Sequence, residues 1–253
     1  MFPIGKTIFL PWLLSSISGC VIKKSEAFSL IMRLKLAEKQ NSETQSSTQR
    51  VYLRLRDAVL NGSLKPGDRL KVDTLKSTMQ AGATPVREAL SLLVSDQLVE
   101  RIDQRGFRVA SASVEQFQEV LKLRCQLEIL ALKDSLIKGD KAWEEALVLA
   151  HYRMERHDKK DREAFEALHR TFHMSVLNAC GSPILMRLCE QLYDLNVRYR
   201  HLAGQNEAYT QRDVTAEHKA ILDGALARDF EQASTALLAH YQRTGDFLSP
   251  HLG

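Results

Sequence analysis

Glycine and proline are scarce in this 253-residue chain, 12 and 6 respectively, which weighs against a loop-rich or all-β architecture. Cysteine is scarcer still. Cys20, Cys125, Cys180 and Cys189 form no Cys-x-x-Cys pair, so a disulfide framework is not indicated and the thiols read as free in a reducing cytoplasm. Away from the N-terminus there is no apolar run long enough to span a bilayer, and no membrane partner is expected. No His-Glu-x-x-His occurs; that removes the helical pairing of two zinc ligands with a general base and argues against an enzyme that activates water on a metal. What remains is rich in Leu, Ala, Glu, Arg and Gln, which favour helices. A hydrophobic fraction of 44% and a charged fraction of 26% are those of a soluble protein, and the length has room for two modest domains.

The net charge of +4 gains meaning only when divided along the chain. Of the 35 basic and 31 acidic residues, 11 and 7 fall between Arg50 and Ala110, so 24 of each sign remain elsewhere and cancel. The whole excess sits in one short segment, which suits a polyanionic partner, because Lys and Arg release its counterions on binding.

The N-terminus does not match the rest. An apolar run from Ile8 to Ile17 follows Lys6, and Ile17-Ser18-Gly19-Cys20 resembles a bacterial lipoprotein cleavage box. Taken literally, it exports the chain on a lipid attached to Cys20. The alternatives are a start assigned too far upstream, with Met32 the true first residue, or an extension of no assigned role. Residues 1–48 are set apart on these grounds, and the polar stretch from Glu38 to Gln49 is expected to be disordered.

From Gln49 the organisation becomes regular. Leu55, Ala58 and Val59 recur at helical spacing in a first helix that stops at Asn61-Gly62, and Lys65-Pro66-Gly67-Asp68 makes a turn. Val72 to Met79 is a second helix. Thr84 is expected to cap a third, with Pro85 at its first position. Val99 to Asp103 and Phe107 to Val109 then read as two strands joined at Gln104-Arg105-Gly106, with Ser111-Ala112-Ser113 as a linker. Helices are expected near 114–138, 141–157, 162–180, 184–203, 212–226 and 230–247, with breaks at Asp140, Ser182-Pro183, Gly204 and Ala227 to Asp229. The fold class is mainly α: a winged helix-turn-helix over 49–111, followed by an all-α bundle over 112–248.

Three helices and a two-stranded wing place one helix in the major groove, where each base pair has its own donor and acceptor pattern. Thr84 and Arg87 supply the polar start of that helix, and Arg105 and Gly106 the wing tip. The ordered pieces Pro66-Gly67-Asp68-Arg69-Leu70, Thr84-Pro85-Val86-Arg87-Glu88-Ala89-Leu90, Leu98-Val99 and Arg105-Gly106-Phe107-Arg108-Val109 closely resemble the GntR family of bacterial regulators. The resemblance implies that Arg87 contacts bases or phosphates and that Arg105-Gly106 forms the wing tip. It also exposes a departure: the family's Val-Ser-Arg before Thr-Pro is here Ala81-Gly82-Ala83, so relatives do not supply the operator sequence. The competing reading of Arg87 is a surface arginine paired with Glu88 or Asp96.

Four of eight histidines are suggestively spaced. His169 and His173 lie one turn apart on one helix face. His218 and His240 are equidistant from the turn expected at Ala227 to Asp229, so an antiparallel hairpin brings them to one height, roughly 16 Å from the turn at about 1.5 Å per residue. Together they are candidate ligands for a transition metal, Zn or Ni above all, rather than for Mg or Ca. The bland alternative is an exposed pair on a solvated face, and Cys180 reads as core rather than ligand. The region from Ser113 onward resembles the FCD type of GntR sensor domain, which implies a metal held by an acidic residue and three histidines. Phe172-His173, Glu217-His218 and His240 fit that pattern, but the acidic position is His169.

Arg124, Arg198 and Arg200 are candidate clamps for the carboxylate of an effector bound at such a metal, against the alternative that they pair with Glu128 or Asp194. Arg69-Leu70, Gly106 to Ser111, Cys180-Gly181-Ser182 and Tyr199-Arg200 resemble glutarate-responsive members of the family, which implies a small organic acid, a dicarboxylate such as glutarate. The expectation is a homodimeric cytoplasmic regulator, a repressor more than an activator, that binds double-stranded operator DNA and is not an enzyme. A rival is a regulator for which the ion itself is the signal.

Overall fold

The structure, a computed structural model, describes residues 46–158, 161–202 and 213–251. The lipoprotein-like stretch, Met32 and the break expected at Gly204 lie outside these residues. No helix among the described residues is long and apolar enough to cross a membrane.

The first part of the described chain begins with α1 (Ser47–Leu60), so Ser47 to Gln49, expected in the polar tail, form a helical turn instead. There follow β1 (Arg69–Leu70), α2 (Val72–Met79), α3 (Ala83–Ser95), β2 (Val99–Ile102) and β3 (Gly106–Val109). The short β1, which no periodicity of two residues announces, adds to the foreseen hairpin to give an antiparallel sheet in the order β1-β3-β2, with Arg69 opposite Arg108 and Arg101 opposite Phe107. Leu55, Val59, Val86, Leu90, Leu93, Leu98 and Val109 fill the core beneath it.

The start of α3 differs from expectation. Gly82, not Thr84, is the N-cap, and it makes no side-chain capping bond. Pro85 therefore sits in the third helical position, still inside the first turn, where backbone N–H groups have no partner within the helix and a missing one does no harm. Thr84 and Arg87 are both exposed, and no capping role occupies Thr84.

Ser113 accepts a hydrogen bond from the Gln116 N–H at 3.2 Å and so starts α4 (Val114–Lys138). α5 (Lys141–Arg156), α6 (Arg162–Leu177), α7 (Pro183–Leu202), α8 (Val214–Leu226) and α9 (Phe230–Leu248) complete the bundle. Asp140, Asp161, Asp213 and Asp229 each cap the helix that follows, satisfying orphan N–H groups as aspartate does best. The segment expected to end α6 is a separate 3-10 turn, Asn178–Cys180, closed by Gly181 at a φ of 72°, and Cys180 is core. Phe172, Leu177, Tyr193, Ile221, Leu237 and Tyr241 belong to the apolar interior.

The α8–α9 hairpin carries two of the histidines, and its closeness rests on Gly224. A Cβ there would lie 2.7 Å from the backbone nitrogen and 2.8 Å from the Cα of Ala233, atoms that cannot move aside without moving α9. Gly224→Ala should therefore destabilise by about 1–3 kcal/mol, as overpacking does, despite alanine's better helix propensity. Urea unfolding checks this, and a gain in stability would contradict the close approach.

Candidate functional site

His169 and His173 on α6, His218 on α8 and His240 on α9 are all buried, and their candidate ligand nitrogens lie within 4.8 Å of one another. The Nε2 atoms of His169 and His173 are 3.2 Å apart. Ring centroids are 4.9 Å apart for His169 and His218 and 4.6 Å for His218 and His240.

Three of the rings are held from behind through Nδ1. Glu217 takes the Nδ1 proton of His240 at 2.8 Å and is itself paired with Arg243 at 3.2 Å. Tyr241 donates its hydroxyl proton to Glu128, so its oxygen accepts from Nδ1 of His173 at 3.1 Å. Nδ1 of His169 meets the Tyr193 hydroxyl at 2.6 Å and Arg200 at 3.4 Å, and Arg200 also pairs with Glu166 at 2.7 Å. Such backing fixes ring orientation and, where the partner is an acceptor, the tautomer that leaves an Nε2 lone pair. Nε2 of His218 is buried without a hydrogen-bond partner, a costly state for a polar atom.

The donor set fits a transition metal on its chemistry. Four imidazoles, one with an orphaned nitrogen, suit a borderline-soft ion. Bonds of about 2.1 Å span at most about 4.2 Å, so a pair of candidate ligand atoms at the wide limit would need to draw in by about 0.6 Å to hold one ion. Burial is the first cause that depresses the imidazole pKa values, followed by neighbouring cations and rings: His169 and His173 lie well below the ordinary 6.5, and His218 falls to about 2. These three rings are therefore neutral at pH 7, the state a metal requires of an imidazole.

The candidate arginines separate. Arg124 is buried, not superficial. Its Nε bonds Glu128 at 2.6 Å and its Nη1 bonds Asn196 at 3.1 Å, while its guanidinium lies over the Tyr241 ring, 4.0 Å from the centroid. Its Nη2 and the Nδ2 of Asn196 are buried donors with no partner. Arg200 reaches His169, as above. Arg198 does not join the cluster: it donates to the backbone carbonyls of Ala110 and of Ser111, the latter at 3.3 Å. Arg200 is two positions further along, which at 100° per residue turns the two to opposite sides of α7. Sequence reading gave no role to Tyr193, Tyr241 or Asn196; Glu217 entered only as the neighbour of His218, and Glu128 only as the alternative partner of Arg124, which it is.

On the other part of the chain, Thr84 and Arg87 stand exposed at the start of α3. The carboxylates weighed as partners for Arg87 are engaged elsewhere, Glu88 with Thr48 at 2.6 Å and Asp96 with Tyr52 at 2.7 Å. Arg105 is exposed at the hairpin tip, where Gly106 has a φ of 91°, a conformation that favours glycine.

Depressed imidazole pKa values make stability pH-dependent with a definite sign. The unfolded chain takes up protons below pH 6.5 that the folded chain refuses, so stability is complete above 6.5 and declines as pH falls. The slope approaches about 1.4 kcal/mol per pH unit for each of His169, His173 and His218. Chemical denaturation of metal-free protein between pH 7.5 and 5 measures this; a flat profile would show that the rings are not buried as neutral groups.

Comparison with known proteins agrees with both halves of this description. The bacterial regulatory proteins of the gntR family match over residues 47–109 and the FCD domain over residues 119–243. The chain is similar to the uncharacterized HTH-type transcriptional regulator BphR of Paraburkholderia xenovorans, 34% identical over 208 residues that cover 79% of this chain and 84% of that protein. It is also similar to the HTH-type transcriptional repressor GlaR of Escherichia coli, 29% identical over 75% of this chain and 90% of that one. Among solved structures, E. coli McbR/YncC superposes with a TM-score of 0.73 at 24% identity, covering 83% of this chain and all of that one, which shows a shared fold. The chain therefore belongs to the GntR family of bacterial transcriptional regulators, in the branch that joins an FCD domain to the DNA-binding one.

Proposed function

We propose that this regulator is a homodimer that binds a pseudo-palindromic operator and releases it when a small carboxylate occupies the histidine cluster of its FCD domain. The reader is assigned to residues 49–111 and the sensor to 112–248. One reader serves each half-site, since two-fold protein symmetry calls for symmetric DNA. Thr84 and Arg87 enter the major groove, while Arg105 and Gly106 track the backbone or minor groove. The seven-residue spacing of exposed Leu123, Leu130 and Ile137 on α4 is that of a helix–helix seam and favours self-association.

The observation that carries the reading is the pair of orphaned buried donors, Nη2 of Arg124 and Nδ2 of Asn196, in the same bundle as the four imidazoles. Both lack an acceptor, and a carboxylate supplies acceptors only. His169, His173, His218 and His240 would hold Zn or Ni. The ion when bound supplies Lewis acidity toward a carboxylate oxygen. Arg124, Asn196 and Arg200 then clamp the acid through hydrogen bonds to its remaining oxygens. A dicarboxylate of glutarate's size is the first candidate, and release of DNA on its binding makes the protein a repressor. The number of candidate donors favours the ion itself as signal: four imidazoles would fill the four positions that zinc usually offers.

Thermal shift decides between these. Metal should raise Tm, and an acid at 100 times its Kd should add about 2.7 kcal/mol of stability in metal-loaded protein only, with His173→Ala abolishing both effects. A shift with metal but with no carboxylic acid would assign the signal to the ion. For the reader, Arg87→Ala should weaken operator binding by about 1–3 kcal/mol; an unchanged fluorescence-anisotropy titration would remove Arg87 from the interface.

A further inference from the structure

Helix α7 has two working faces. Tyr193, Asn196 and Arg200 point to the sensor, where they bond His169, Arg124 and His169 with Glu166 respectively. Gln191, Asp194, Leu195 and Arg198 point the other way, at the reader. Gln191 donates to the Ser95 carbonyl at 3.2 Å, Leu195 is buried in the reader's own apolar core, and Arg198 holds the carbonyls of Ala110 and Ser111 in the connection between the two parts. At 100° per residue these sets fall on opposite sides of one helix, so a shift that one side requires is delivered to the other.

Asp194 joins the two sides directly. Its Oδ2 is 2.5 Å from Nη2 and 3.2 Å from Nε of Arg56 on α1, and its Oδ1 is 3.4 Å from Nε of Arg170 on α6. Arg170 follows His169 in the chain, as Asp194 follows Tyr193, the hydroxyl partner of His169. Arg56 and Asp194 are each only about one-sixth exposed, at 16% and 15%, so solvent screens the pair less than a surface contact.

We propose that α7 transmits the state of the histidine cluster to the DNA reader, and that Asp194, with one carboxylate oxygen on Arg56 and the other on Arg170, is the coupling residue. This rests on the cluster being the sensing site. Its chemistry is mechanical: drawing the imidazoles together repositions His169, Tyr193 and the backbone they belong to, and the carboxylate pulls α1 with them.

Hydrogen exchange on the full chain, with zinc ion as probe and with chelator as reference, tests the link. In the wild type, zinc should slow exchange in 162–177 and also in 47–60, by about fivefold or more. In Asp194→Asn, zinc should bind and protect 162–177 as before while the change in 47–60 disappears; Arg56→Lys, which keeps the charge, should retain part of it. Full zinc-dependent protection of 47–60 in Asp194→Asn overturns the proposal, as does a wild-type reader indifferent to zinc that has protected the sensor. If zinc protects neither segment, the sensing-site reading fails and a metal-free comparison still decides on the coupling residue. There, Asp194→Asn must loosen 47–60 and 162–177 together, and an effect on one alone rules it out.

Discussion

Four imidazoles share one buried spot, where burial holds His169, His173 and His218 in the neutral form, and the surrounding side chains follow from that requirement. A protonated ring there would face the other three and two guanidinium groups without water. The bundle meets the constraint by accepting protons away from the centre: Glu217 behind His240, and Tyr241 leaning on Glu128 behind His173. The same two carboxylates hold Arg243 and Arg124, so anions and cations alternate around a neutral middle. With histidine at position 169, no carboxylate belongs to the four-residue cluster itself, and the negative charge lies one hydrogen bond further back, on Glu217 and Glu128.

Most polar groups around the cluster are satisfied in pairs, but Nη2 of Arg124, Nδ2 of Asn196 and Nε2 of His218 are not. Buried polar atoms without partners are rare in folded proteins because each forgoes its bond to water. Finding Arg124, Asn196 and His218 all in that state, in one bundle, is a local departure from consistency of the kind that functional sites show. The apolar interior around them is conventional, and it sets the rings rigidly enough for such a departure to persist.

Much of this was legible in the chain itself. Helix ends were readable wherever aspartate caps or a Gly or Pro break stood, as at Asp140, Ser182-Pro183 and Asp229. The convergence of His218 and His240 followed from counting outward from a turn. Other features had no local signature. β1 is two residues long and exists only because β3 lies beside it. Thr84 resembles a cap, yet helix α3 starts earlier because Ala83 and Thr84 can extend it ahead of Pro85. Arg124 with Glu128 has the spacing of a surface pair; only the approach of Tyr241 and Asn196, from residues far along the chain, makes it an interior one. Arg198 was misplaced for a similar reason, since its face on α7 is decided by the reader packed against it.

The turn between α8 and α9 is fixed from outside the hairpin. Arg228, at a φ of 56°, sends its guanidinium to the carbonyls of Leu136 at 3.0 Å and Gly139 at 2.9 Å, where α4 ends, and lies over Trp143. Cations belong at that end of a helix, so the loop is fastened to α4 while its length phases two histidines of the cluster. One residue more or less in it would rotate α9 by about 100° and carry His240 out of the cluster. The juxtaposition of His218 and His240 therefore depends on the loop length at 227–229. Among related chains, the interval between the last two histidines should discriminate ligand-holding members better than the presence of any single one.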